Sequence, residues 1–322
     1  MGKVTSWLLS EPLGGVNPSF DKYASFFFKT FYLLIRIFFR IIMGKEKRSR
    51  SAFFNRIYIP PTFSPSFLLL MYLYKIKKVL KIGNQKLIEI HVTKYDYKAY
   101  CPPNKNDFIS MTSREEDILE HFSPKEGDNV IDIGAHIGRY TIISSKMVGE
   151  NGKVVAIEAN PAVFEMLNKN IKLNQFTNIL SLNYAVYSQE TKIKLFLPND
   201  EENMTIYNSI MTERANNKEK FVEVNANTLD TIIQSTGIKE DGINWIKIDV
   251  EGAEYEVLRG ATSILSQSKD IALLVEIHNL GEGKNMYEPI VHFLNEYNFK
   301  IDFEKTYESG EKHVIFRKDF LK

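Results

Sequence analysis

Residues Asn129 to Thr141 read Asn-Val-Ile-Asp-Ile-Gly-Ala-His-Ile-Gly-Arg-Tyr-Thr. This stretch constrains the fold more than any other. An apolar strand signal carries an aspartate near its end, enters a Gly-x-x-x-Gly turn, and opens a helix-compatible run. Such a turn puts bare backbone and a carboxylate at the carboxyl edge of a parallel sheet. Signals alternate from there on. Strands are expected at Val130–Ile133, Val154–Ile157, Ile179–Asn183, Trp245–Ile248 and Ile271–Ile277. Helices are expected at Gly138–Met147, Ala162–Leu173, Leu229–Gln234, Ala253–Leu265 and Tyr287–Glu296. Ile193–Leu197 and Phe221–Val224 read as short strands around a polar stretch, and Ile301–Phe303 with Val314–Phe316 as a closing strand pair. Alternation of this kind implies a doubly wound α/β sheet covered on both faces, with the late pair adding one antiparallel strand.

The glycine spacing selects among ligands. A dinucleotide fingerprint needs G-x-G-x-x-G so that backbone can approach a pyrophosphate. Here Ala135 and His136 separate Gly134 from Ile137 and Gly138, and the charge of Asp132 repels phosphate. A ligand bearing an ammonium group suits the turn better, and S-adenosylmethionine (AdoMet) is such a ligand. Glu158, in Glu-Ala-Asn-Pro after the second strand, stands where a carboxylate accepts both hydroxyls of a ribose.

Two further stretches are dense in chemistry. Lys247-Ile-Asp-Val-Glu-Gly-Ala-Glu-Tyr-Glu brings Asp249 to a sheet edge with Glu251 two residues on. This pair can orient a hydroxyl, take its proton or hold a divalent ion. Glu254 and Glu256 read as a solvated helix face. Glu276-Ile-His278-Asn279 ends the next strand, and His278 is a candidate general base near neutral pH. His91, His121, His292 and His313 read as structural. Cys101 is the single cysteine, which excludes an internal disulfide, fits a reducing compartment and reads as an inert packed thiol. No metal ligands are assigned.

Taken in order, these motifs, together with Asn-Tyr-Ala-Val at 183–186 and Thr-Leu-Asp at 228–230, resemble the FkbM-type AdoMet-dependent methyltransferases over roughly Ser113 to Arg317. The resemblance implies the class I methyltransferase fold, a Rossmann-like, mostly parallel seven-stranded sheet, with methyl transfer to an oxygen of a sugar or natural-product hydroxyl. The implied cofactor set is Asp132, Gly134, Ala135, Gly138, Tyr140, Thr141, Glu158, Ala159 and Asn160, and the catalytic set is Asp249, Glu251 and His278. Arg139 departs from the family pattern, and Pro198 to Lys220 carries no recognisable acceptor signature.

The first segment differs from the rest. The whole chain is 44% hydrophobic with a formal net charge of +1, yet residues 1–50 hold nine Lys and Arg against three acids. Residues 23–43 are mostly aliphatic and aromatic. On a helix, Lys22, Lys29, Arg36 and Arg40 fall within about 20° of one line. A span would place Arg36 and Arg40 in hydrocarbon at about 2.5–3.5 kcal/mol each, so attachment to a membrane surface through residues 22–50 is favoured over a single crossing or a helix packed on the catalytic domain. This suits a cytoplasmic protein peripheral to the inner face of the membrane. The expected organisation is a membrane-associating helix and linker over 1–65, an extension with a hairpin over 66–112, and a methyltransferase domain over 113–322. The hairpin joins Val79–Ile82 through Gly83-Asn84 to Ile88, Ile90 and Val92. Ser113 and Glu116 form a capping box for a helix over Glu115–His121. Charge balance gives no case for nucleic acid. A nicotinamide dehydrogenase and a non-catalytic, membrane-tethered module with the same fold are the rivals.

Overall fold

The computed structural model describes residues 87–92, 94–102, 107, 110–111, 115–197, 220–279 and 286–318. The chain divides after Asp96 into two units. Of the first, the structure describes strand β1 (Ile88–Val92) and the turn after it, where His91 Nε2 lies 3.1 Å from Asp96 Oδ1. The expected hairpin partner, the basic leader and Ser113 of the capping box all lie outside the described residues.

The second unit, Tyr97–Lys322, begins ahead of the boundary expected at Ser113. Within this unit, strand β2 (Tyr97–Cys101) is held by the helix α3 (Pro161–Asn174). Asn170 and Asn174, one turn apart, offer their amides as a substitute strand edge. Asn174 accepts from Lys98 N at 2.9 Å and donates to Lys98 O at 2.7 Å. Asn170 accepts from Tyr100 N at 2.6 Å and donates to Tyr100 O at 3.1 Å. Cys101 is buried, and burial pushes its thiol up, away from thiolate, in keeping with an inert role.

The remaining elements build the expected sheet. In chain order they are α1 (Glu116–Leu119), β3 (Asn129–Ile133), α2 (Arg139–Val148), β4 (Lys153–Ile157), α3, β5 (Ile179–Leu182), β6 (Ala185–Val186), β7 (Thr191–Phe196), β8 (Phe221–Asn227), α4 (Leu229–Thr236), β9 (Trp245–Ile248), α5 (Glu254–Arg259), α6 (Thr262–Gln267), β10 (Ala272–Ile277), α7 (Tyr287–Glu296), β11 (Phe299–Thr306) and β12 (Lys312–Lys318). The seven-stranded sheet runs β11-β12-β10-β9-β3-β4-β5. β3 pairs in parallel with β4 and β9, and β9 with β10, while β12 is antiparallel to both β10 and β11. β9 and β10 are buried at every position, because parallel strands covered on both faces read as unbroken apolar runs. β6, β8 and β7 form a second, three-stranded sheet. The strand order reverses around β3, so the crevice that binds ligands in such folds opens at its carboxyl end.

The single helix expected over Ala253–Leu265 is two. A Cβ on Gly260 would lie 2.2 Å from Tyr187 O, and Gly260 O accepts from Asp230 N at 3.1 Å. The chain must turn there to let two backbones pass, and α6 starts afresh at Thr262. The helix expected over Glu115–His121 is also shorter. Glu115 takes a left-handed conformation at φ 60 with no side-chain cap, and Glu116 accepts from Arg139 Nη2 at 2.7 Å.

Candidate active site

A cleft opens over the carboxyl ends of β3, β4 and β9. Its walls include Gly134, Ala135, His136, Arg139, Tyr140, Glu158, Ala159, Tyr184, Lys247, Asp249 and Glu251. Of the expected cofactor set, Gly134, Ala135, Tyr140, Glu158 and Ala159 line it. Asp132, Gly138, Thr141 and Asn160 stand behind the wall. Asp249 and Glu251 line it and His278 does not.

The glycines are needed for close approach. Gly134 has φ 72, and a Cβ there would lie 1.8 Å from Asp249 O. The loops after β3 and β9 can cross only over bare backbone. Gly134 N and Ala135 N both donate to Ile157 O, at 2.9 and 3.0 Å, tying the turn to β4. Gly138 caps α2 at φ 103, where a Cβ would come within 2.8 Å of Leu167 Cδ1. Between them, His136 also sits at positive φ, 53. That conformation aims its amide at Glu158 Oε2, 2.9 Å away. Asn160 N donates to the other oxygen at 2.8 Å, while its side chain accepts from Ala162 N to cap α3. Glu158 is thus pinned at both oxygens. Burial pushes its pKa up, against the pull of these amides and His136. An ionised carboxylate offers about four acceptor sites, so each oxygen keeps capacity for a hydroxyl.

Asp132 is fully buried. Its Oδ2 accepts from Thr141 Oγ1 at 2.6 Å, and Lys247 Nζ lies 3.7 Å from its Oδ1. Burial raises its pKa, and Lys247 opposes the rise. Lys247 Nζ also donates to Gly134 O at 3.1 Å and Asp249 Oδ2 at 3.2 Å. Burial would depress Lys247, but Asp249, Asp132, Glu115 and Glu276 outweigh it and raise its pKa, so it stays an ammonium. The cationic partner that the sequence argument assigns to Asp132 is therefore met in part from within the chain. Lys247 and Asp249 reach the cleft as an opposite-charge pair.

Behind this pair lies a buried charge network that the sequence does not announce. His278 Nδ1 is 2.6 Å from Glu254 Oε1, and its Nε2 lies 3.6 Å from Glu251 Oε2 and from Glu276 Oε1 and 3.8 Å from Asp249 Oδ1. Glu254 is 1% exposed, which corrects its reading as a solvated residue. Glu256 on the same helix does pair with Arg259 at the surface. Burial would lower the pKa of His278, but Glu254, Glu276 and Glu251 hold it up to about 10. An imidazolium has no lone pair to receive a proton, and the carboxylates that line the cleft beside it are Asp249 and Glu251. Glu251 holds its carboxylate at the cleft from φ 56, a conformation that costs a non-glycine residue about 1 kcal/mol or more. His313, expected without partners, lies 3.2 Å from Glu276 Oε2 and 3.5 Å from Glu115 Oε2. Arg139 is buried, donating to Ser110 O at 3.1 Å and to Glu116.

The family model of the methyltransferase FkbM domain matches residues 132–301, a span that takes in every strand from the end of β3 to the start of β11. The chain belongs to the FkbM methyltransferase family. AdoMet is its cofactor, and the donor set fits: Glu158 for paired hydroxyls, Gly134 and Ala135 for close backbone approach, and the Lys247–Asp249 pair for a zwitterion. A second family model, protein-L-isoaspartate O-methyltransferase, matches residues 71–185. Among curated relatives, "Methyltransferase 1" of Beauveria bassiana is 24% identical over 51% of this chain and 72% of its own length. The "Hexuronic acid methyltransferase AglP" of Haloferax volcanii is 27% identical over 51% of this chain and 62% of its own length. A protein-L-isoaspartate O-methyltransferase of Methanococcus maripaludis is 37% identical over 32% of this chain and 50% of its own length. The chain thus spans about half to seven tenths of these relatives. A solved structure, methyltransferase FkbM from Methylobacillus flagellatus, aligns with a TM-score of 0.43 and 14% identity, covering 65% of this chain and 47% of that one.

Proposed function

We propose that this methyltransferase transfers its methyl group to a hydroxyl oxygen of a sugar or glycan. The observation that carries the reading is the cleft itself, where Glu158 on one strand end stands across from Asp249 and Glu251 on another. AdoMet, when bound, supplies a methyl group already electrophilic on its sulfonium. What remains for the chain is alignment and proton removal. Glu158 grips the ribose, and Gly134 and Ala135 let the nucleoside lie close to the backbone. Asp249 or Glu251 accepts the hydrogen bond of the acceptor O–H and takes its proton as the oxygen attacks. The likeness to a hexuronic acid methyltransferase supports a sugar acceptor. Carboxyl methylation is the rival suggested by the isoaspartate methyltransferase match, but that match ends at residue 185. It covers the cofactor strands and stops short of Asp249 and Glu251.

The membrane reading rests on the basic, apolar leader over 22–50. Among the described residues no helix is long and apolar enough to cross a membrane. We infer surface attachment with a lipid-linked glycan as acceptor. Recovery of the full-length chain wholly in the soluble fraction would end that part. For the chemistry, calorimetry with AdoMet on wild type and Glu158→Ala is paired with transfer of labelled methyl to extracted glycans. Unchanged AdoMet affinity in the variant defeats the ribose role of Glu158, and label appearing only in base-labile carboxyl esters defeats the hydroxyl assignment.

A further inference from the structure

We propose that Glu115, Glu276 and His313 hold a divalent first-row transition-metal ion at the wall of the cleft. The three come from separate elements that the fold brings together. β10 delivers Glu276, and the antiparallel register of β12 places His313 directly across from it. Glu115 enters from the left-handed residue before α1 and also lines the cleft. One donor atom from each falls within 4.8 Å of the other two.

His313 is the independent observation. It is 3% exposed, and neither ring nitrogen makes a hydrogen bond. A buried imidazole with both nitrogens out of hydrogen bonding is costly unless something else engages it. Its Nε2 faces Glu276 Oε2 at 3.2 Å and Glu115 Oε2 at 3.5 Å. Donors about 2.1 Å from one ion at tetrahedral angles stand about 3.4 Å apart, so these separations are those of ligands around a common centre.

One imidazole with two carboxylates suits zinc, manganese or iron better than the hard alkaline-earth ions. The surroundings resemble those that orient metal ligands. Tyr140 donates its hydroxyl to Glu115 Oε2 at 3.0 Å. The other oxygen of Glu276 faces His278, whose Nδ1 is already held by Glu254.

The test uses the full-length chain, stripped by chelation and titrated separately with Zn2+, Mn2+ and Co2+, with bound metal measured by atomic emission. One ion per chain is expected, with a tetrahedral-type absorption for Co2+. His313→Gln and Glu276→Gln are each expected to weaken binding by about 10- to 100-fold or more. The exposed His292→Gln, on α7, is expected to leave it unchanged. Circular dichroism confirms the fold, and Glu115→Gln serves where a buried variant does not fold. Trace metal only in wild type, or equal affinity in all folded variants, overturns the proposal. The readout needs neither AdoMet nor an acceptor, so its failure is separate from failure of the glycan assignment.

Discussion

The two halves of the cleft are built from different materials. On the β3–β4 side the work is done by backbone. Gly134 and Gly138 clear space, and amides of His136 and Asn160 fix Glu158. On the β9–β10 side it is done by buried charge, with Lys247, Glu254, Glu276 and His278 all 5% exposed or less. A backbone site is hard to change without moving the chain, because its geometry is set by φ and by van der Waals contact. A charge network tolerates conservative changes in shape but not the loss of one partner.

Gly134→Ala should separate the halves most sharply. Its Cβ would meet Asp249 O at 1.8 Å with the residue held at φ 72. Overpacking and left-handed strain together should cost about 3 kcal/mol or more. Urea unfolding should show that loss, and AdoMet binding should fall with it. A variant as stable as wild type would mean that the two loops do not cross as described.

The charged half is tested next by α5. Glu254→Ala removes the partner of a buried imidazolium and should cost about 3 kcal/mol. Glu256→Ala, two residues on, loses only a surface pair with Arg259 and should stay within about 0.5 kcal/mol. Equal losses at the two positions would erase the distinction between a buried network and a solvated face.

That contrast also shows what the sequence conceals. The turn at 132–138, the core strands and the single antiparallel strand were legible, because glycine spacing and apolar runs are local signals with backbone causes. Glu254 and Glu256 both follow Gly252 in one acidic stretch, and composition cannot tell which faces inward. Their partners settle it, since Glu254 meets the buried His278 at the end of strand β10, far away in sequence, and Glu256 only Arg259 on its own helix. His313 looked partnerless for the same reason: its carboxylates arrive through β-sheet register and an unusual φ at Glu115. Asp107, Glu115 and Lys247 each act through long-range contacts that periodicity does not carry. A lysine inside a buried strand, Lys247 in Trp245–Ile248, was the one available signal, since a charge in such a run needs a partner.

Glu158→Gln should have a milder and more specific effect. The amide keeps the shape but replaces one acceptor oxygen with a donor. The loss of charge-assisted hydrogen bonds, about 1.5–3 kcal/mol, should raise the AdoMet dissociation constant by about 10- to 100-fold, read by calorimetry. Stability should change far less than in Gly134→Ala. A variant that unfolds instead would place Glu158 among the structural residues.

The smallest effect expected is a pH dependence at the seam between the two halves. His136 Nε2 lies 3.5 Å from the buried carboxylate of Asp107. Burial would lower the pKa of His136, but Asp107, with Glu158 and Asp249 behind it, raises it above the ordinary value. A histidine whose folded pKa is raised stabilises the protein fully below its unfolded pKa of about 6.5. That contribution is lost as pH climbs through the folded value. Wild type should therefore lose stability as pH rises from about 6.5, by about 0.5–1 kcal/mol for an ion pair that touches solvent. His136→Gln should flatten that slope while keeping the backbone amide that holds Glu158. Because the amide and the ring act independently, AdoMet affinity at pH 7 should survive the substitution. If it falls as steeply as in Glu158→Gln, the ring itself contacts the cofactor, and the backbone half of the cleft is less purely backbone than its geometry indicates.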